Sequence, residues 1–132
     1  MWTQPIYDRT EADILNRTPK AYCNMEDLQR LENNCAVLAG LLGVTISTRN
    51  WTMTDFPTVS ELDRIRGNIA VLRAAYYTPG TTPSTPDNPL NHWEKWNAAE
   101  QILHDIYVVY TANLAAFIRA GEAFAGDEIG VI

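Results

Sequence analysis

Two stretches of this 132-residue chain carry apolar residues at the same alternating spacing of three and four, and that repeat constrains the fold more than any other feature. Leu28, Leu31, Cys35, Leu38 and Leu42 form one series; Leu62, Ile65, Ile69, Leu72 and Tyr76 form the other. At 3.6 residues per turn, each series falls on one narrow helical face. Two matched seams predict two helices packed side by side, parallel or antiparallel. Asn24, with Glu26 and Asp27 behind it, is a good N-cap for a helix running to Leu42 and ended by Gly43. Ser60 with Asp63 predicts the start of a second, over Glu61–Tyr77.

A third long helix is predicted over His92–Ala120, free of internal Gly and Pro and closed by Gly121. Its stripe of Trp96, Ala99, Leu103, Ile106, Tyr110, Leu114 and Phe117 is widened by Ile102, Val109 and Ala116, as suits a helix flanked by two others. At about 43 Å it outruns partners of about 27 Å, so something must cover the excess. Thr10 before Glu11, Ala12 and Asp13 predicts a short capped helix to Arg17, stopped by Pro19. Residues 44–59, rich in Thr and β-branched residues and holding Phe56-Pro57, predict an extended crossing segment around Trp51; residues 78–91, with four prolines, predict a loop. The expected fold is mainly α: a three-helix bundle in a single domain over 1–132, with a short extra N-terminal helix and an extended inter-helix segment.

With 46% apolar and 20% charged residues, the composition is that of a globular domain able to bury a core without metal or disulfides. A net charge of −6 argues against nucleic acid as a partner, because phosphate binding needs clustered Lys and Arg. The longest apolar run, Cys35–Val44, is half the length a membrane span requires, so no membrane insertion is expected. The first nine residues lack the basic start and apolar core of a signal peptide. Cys23 and Cys35, on the predicted helix layout, lie too far apart to pair, and both read as reduced thiols.

Patterns that carry chemistry are thin. GxSxG, GxGxxG and GxxxxGK[ST] do not occur, and only two histidines are present. Glu100 and His104, spaced i, i+4, read as a surface pair, not as half of a carboxylate metal site. Glu26-Asp27 and Asp127-Glu128 read as cap and solvated charge, and His92 as a solvated loop-edge residue. No catalytic residue, cofactor or metal is therefore assigned. Four Trp and six Tyr would suit a sugar-binding platform, but Trp93, Trp96 and Tyr76 fall on core faces. Trp2 and Trp51 lie outside the predicted helices and stay open between capping the bundle and meeting a partner.

Several stretches together resemble small structural proteins encoded among the virion, tail and baseplate genes of phages and prophages of Gram-positive bacteria. They are Asp8-Arg9-Thr10 with Asp13; Ala21-Tyr22-Cys23-Asn24 leading to Asp27-Leu28-Gln29-Arg30-Leu31-Glu32-Asn33; and Asn50 through Glu61. Asn97, Glu100, Leu103 and Asp105 follow, then Phe117, Gly121, Glu122 and Gly126. The resemblance implies a non-enzymatic part in virion assembly, in the tail or baseplate, made in the bacterial host cytoplasm and ending in the virion. Its partners would be other virion proteins or further copies of itself. Both ends of the chain fit such a part. Trp2, Pro5, Ile6 and Tyr7 at the start (1–9), and Phe124, Ile129, Val131 and Ile132 at the end (121–132), lie outside the helical seams. Each is a docking tail for a neighbour or a flap over its own bundle. The competing reading is a carbohydrate- or receptor-binding module working through exposed aromatics, chiefly Trp2 and Trp51.

Overall fold

The computed structural model describes residues 2–17, 25–52, 55, 57–87, 90 and 92–127, with side chains as far as 117. It is mainly helical, and the helices pack against one another. In chain order they are α1 (Glu11–Leu15), α2 (Met25–Leu42), α3 (Val59–Ala75) and α4 (Trp93–Asp127). The last three form the bundle, and among the described residues there is no strand.

Capping residues set most of the helix ends. Thr10 closes a reciprocal box with Asp13 on α1, which ends at Leu15 ahead of Arg17 in the left-handed region (φ 53°), two residues short of the predicted end. Gly43 (φ 70°) turns the chain out of α2, and the Val44 N–H donates to the Ala39 carbonyl at 2.9 Å, the six-to-one bond of a Schellman end. The predicted cap Asn24 lies outside the described residues. On α3 the cap is Thr58, not Ser60. Its hydroxyl accepts from the Glu61 N–H at 3.2 Å, so the helix begins at Val59. That helix stops at Ala75, where Tyr76 becomes extended and its ring meets Tyr110. His92, exposed, accepts from the Glu94 N–H at the start of α4.

The predicted end of α4 at Ala120 is not observed: the helix passes through Gly121 and reaches Asp127. One helical Gly costs only about 1 kcal/mol against Ala, and the alanines at 112, 115, 116, 120, 123 and 125 favour continuation. At 35 residues, α4 is about 52 Å long.

Both seams are the core. Leu28, Leu31, Cys35 and Leu38 of α2 are buried against Ile65, Ile69 and Leu72 of α3 and Trp96, Ala99, Ile102, Leu103 and Ile106 of α4. Burial pushes the Cys35 thiol well above its ordinary pKa, with the nearby Glu32 charge adding to it, and Cys35 is unpaired. Cys23 lies outside the described residues.

The side-chain bonds show that α2, α3 and α4 run parallel. Residues 44–52 come back down the groove between α2 and α3. Ser47 meets Arg64 and Asn68 of α3, Arg49 meets Glu61 of α3, and Trp51 meets Gln29 and Glu32 near the start of α2. Residues 77–87 descend between α3 and α4, where Arg73 holds the Pro83 carbonyl and Thr82 donates to Asp105. Leu90 then lies under Trp96, whose indole N–H donates to its carbonyl at 2.9 Å. Residues 2–9 fill the remaining groove, between α2 and α4. Each groove between parallel helices is thus filled by an extended segment running the other way.

Candidate interaction site

A chain in extended conformation has main-chain groups that no helix satisfies, so it needs side chains to pair with them. For the N-terminal segment two asparagines supply those partners. Asn34 of α2 accepts from the Thr3 N–H (2.9 Å) and donates to the Thr3 carbonyl (2.8 Å). Asn97 of α4 does the same for Arg9, at 3.1 and 2.8 Å. Each amide thereby substitutes for a neighbouring strand. Between them the Ile6 N–H donates to Glu100 at 3.1 Å.

The segment is anchored at Arg9, whose side chain is completely buried. Its guanidinium donates to Glu100 (2.9 Å), Asp27 (3.3 Å) and the Ile6 carbonyl (2.8 Å). Arg30 approaches the same acids from α2, forked onto Glu100 (2.5 and 2.8 Å) and bonded to Asp27 (2.5 Å). Two guanidinium cations and two carboxylates thus balance inside the groove, as buried charges must. Burial pulls the Arg30 pKa down, but hydrogen bonds and charge from Glu100 and Asp27 outweigh it and hold the pKa above its ordinary value. Among the described residues no buried side-chain nitrogen or oxygen lacks a hydrogen-bond partner.

Two sequence expectations are corrected here. Glu100 is not half of a surface pair with His104. It is buried under Arg9 and Arg30, because it sits on the core stripe four residues after Trp96 and three before Leu103. Nor is Asp27 solvated: it is buried within the same cluster, while Glu26 beside it stays exposed.

The residues singled out at this end, Trp2, Pro5, Ile6 and Tyr7, all lie in the groove. Trp2 stacks on Tyr107 of α4, with ring centroids 4.0 Å apart and planes 6° from parallel. Pro5 is buried and Ile6 half-buried. The Tyr7 hydroxyl lies 3.3 Å from His104 Nε2, His104 Nδ1 lies 3.0 Å from Asp105, and Asp105 accepts from Thr82. Hydroxyl, imidazole and carboxylate in that order are the parts of an activated nucleophile. Here they join the N-terminal segment, α4 and residues 77–87 into one chain of bonds. The hollow beside Tyr7, about 470 Å³, is lined, among the described residues, by Gln4, Pro5, Ile6, Tyr7 and Asp8.

Trp51 is buried in the neighbouring groove. Its indole N–H donates to Glu32 (2.9 Å), its own N–H donates to Gln29 (2.8 Å), and the Arg49 guanidinium covers its ring at 4.1 Å. Glu32, buried among the α2 seam residues, also takes the fork of Arg64, and that bond raises the Arg64 pKa.

At the other end of the molecule, Leu114 and Phe117 are exposed, Phe117 by 76%. Phe124 lies on the last turns of α4, where side chains are not described; Ile129, Val131 and Ile132 lie outside the described residues. Among the described residues no group of three or more His, Cys, Asp or Glu is placed to hold a metal ion, and no helix is long and apolar enough to cross a membrane. No family model, curated protein or solved structure matches the chain.

Proposed function

We propose that this chain is a non-enzymatic structural component of a phage virion, in the tail or baseplate, acting through protein–protein contacts. The observation that carries the reading is the use to which its buried polar groups are put. Arg9, Asp27, Arg30, Asn97 and Glu100, all among the residues on which the phage resemblance rests, meet at one point and hold a chain segment in place. A reaction centre needs polar groups left free to meet a substrate in a pocket. These groups are occupied with one another, and the resulting scaffold leaves Leu114 and Phe117 exposed at the far end of α4.

Mass spectrometry and immunogold labelling of purified particles test the proposal. The chain is expected at a fixed copy number on the tail or baseplate. A protein found only in the soluble fraction of infected or induced cells, with neighbouring genes unrelated to virions, contradicts it.

The glycan-binding reading has less support, because the Trp51 ring is already covered by Arg49 and its edge is taken by Glu32. Binding on a glycan array that disappears in Trp2→Ala would restore it.

A further inference from the structure

Three uncharged stretches meet at one end of the bundle. No Asp, Glu, Lys or Arg lies between Glu32 and Arg49, between Arg73 and Asp87, or between Asp105 and Arg119. Because α2, α3 and α4 run parallel, the helical parts of these stretches gather at the end where α2 and α3 stop and α4 goes on. An open hollow of about 390 Å³ lies there, lined, among the described residues, by Ala74, Ala75, Tyr76, Tyr77 and Asn113. Asn113 donates to the Tyr76 hydroxyl at 2.9 Å, and the Tyr76 ring is held against Tyr110. The hollow thus offers an incoming side chain two alanine methyls and two tyrosine rings, of which Tyr77 is 80% exposed. One turn further along α4 stands Phe117, itself 76% exposed, so the chain's own phenyl ring does not fill the hollow below it.

We propose that this hollow seats Phe117 of a second copy of the chain, so that two molecules pair end to end about a twofold axis. Asn113 and Phe117 are four residues apart, on the α4 face that also carries Tyr110 and Leu114. Two α4 helices brought together on that face in opposite directions, level at Ala115, set each Phe117 beside the other chain's Asn113. A contact made twice in this way is what an isologous pair requires. The two helices cross at an angle, because the end of α3 occupies the space beside Asn113. Tyrosine rings and methyl groups are good neighbours for a phenyl ring, which packs by edge-to-face or offset stacking. Charge selects the partner. A surface bearing Lys, Arg, Asp or Glu would bury a charge here with nothing to balance it, whereas the same end of another copy brings none. One ring in each direction, with its surroundings, makes a contact smaller than the roughly 800 Å² per partner of a standard interface, so pairing depends on concentration. At dilution, where chains are separate, Phe117 adds nothing to stability.

The inference rests on the assembly reading and deepens it by naming one contact and its partner, yet the two fail separately. Pairing is a property of the purified protein, whereas membership of a virion is read from particles.

The test begins with sedimentation of the full-length chain from micromolar to millimolar concentration. The expected result is a mass that rises from one chain towards two. Phe117→Asp, at an exposed position where the fold has nothing to lose, is expected to weaken pairing by about tenfold or more with the helical signal unchanged. Leu15→Asp, 76% exposed but remote from this end, is expected to leave pairing as it was. Chains carrying Cys23→Ser and one new cysteine each, Ala116→Cys on a ¹⁵N-labelled chain and Ala74→Cys on an unlabelled one, are then mixed and joined with a short bis-maleimide. Both positions are exposed, and mass spectrometry is expected to find a 74–116 linkage between labelled and unlabelled chains. A mass of one chain at every concentration overturns the proposal, as does pairing that Phe117→Asp leaves intact or pairing without the 74–116 linkage.

Discussion

The N-terminal segment and the far part of α4 both carry large apolar residues, and the fold treats Trp2 and Pro5 in the one and Leu114 and Phe117 in the other in opposite ways. Residues 2–9 lie in a groove, with paired asparagine amides on their main chain and a buried guanidinium as anchor. The last turns of α4 continue past the bundle, beyond the point where Asn113 donates to Tyr76 at the end of α3, and Leu114 and Phe117 face solvent. The contrast teaches that hydrophobicity alone does not decide which apolar side chains are covered. What docks the first end is a set of polar partners positioned for its main chain.

The largest predicted effect comes from removing the carboxylate shared by both arginines. Glu100→Ala leaves Arg9 and Arg30 facing each other with Asp27 as the carboxylate they share among the described residues. Loss of one member of a buried ion cluster costs about 3–5 kcal/mol, to be read from urea unfolding. Asn97→Ala removes both bonds to the Arg9 main chain and should cost about 1–3 kcal/mol, with faster exchange of the Arg9 amide. At the other end, Phe117→Ala should change stability by no more than about 0.5 kcal/mol, because an exposed side chain has no packing to lose. A Phe117 effect as large as that of Asn97 would erase the contrast.

The smallest effect concerns acid. Hydrogen bonds from the Thr52 main chain and hydroxyl, with Arg49 nearby, hold the Asp55 carboxyl below its usual pKa. Its folded pKa is lower than its unfolded one, so the stability it adds is present above the unfolded value, about 3.9, and is lost as pH falls through the folded value. An NMR titration of Asp55 should show the low midpoint, and Thr52→Val, which removes the hydroxyl, should move it upward.

The helical framework was legible because burial along α2 and α3 follows the apolar repeat. The buried seam residues of both helices are members of the two series read at the outset. Parallel order was not legible, since a repeat fixes a face and not a direction. The site was only half legible. Glu32 lies between Leu28 and Cys35 on the α2 seam, and Glu100 between Trp96 and Leu103 on the α4 stripe, so both stood where a core residue belongs. An acid on an apolar stripe signals a buried cation, and that signal was present. Which cation answers it was not, because Arg9 lies 91 positions from Glu100 and Arg64 lies 32 from Glu32. The role of Asn34 and Asn97 also left no local trace, as neither completes a motif by itself.

Hydrogen exchange at the Thr3, Ile6 and Arg9 amides tests most directly the claim that the N-terminal segment belongs to the folded structure. These three N–H groups donate to Asn34, Glu100 and Asn97 and lie in no helix. The account predicts protection of Ile6 and Arg9 approaching that of the α2 core amides, with Thr3 somewhat less protected. Exchange of all three at the rate of an unstructured peptide would contradict it.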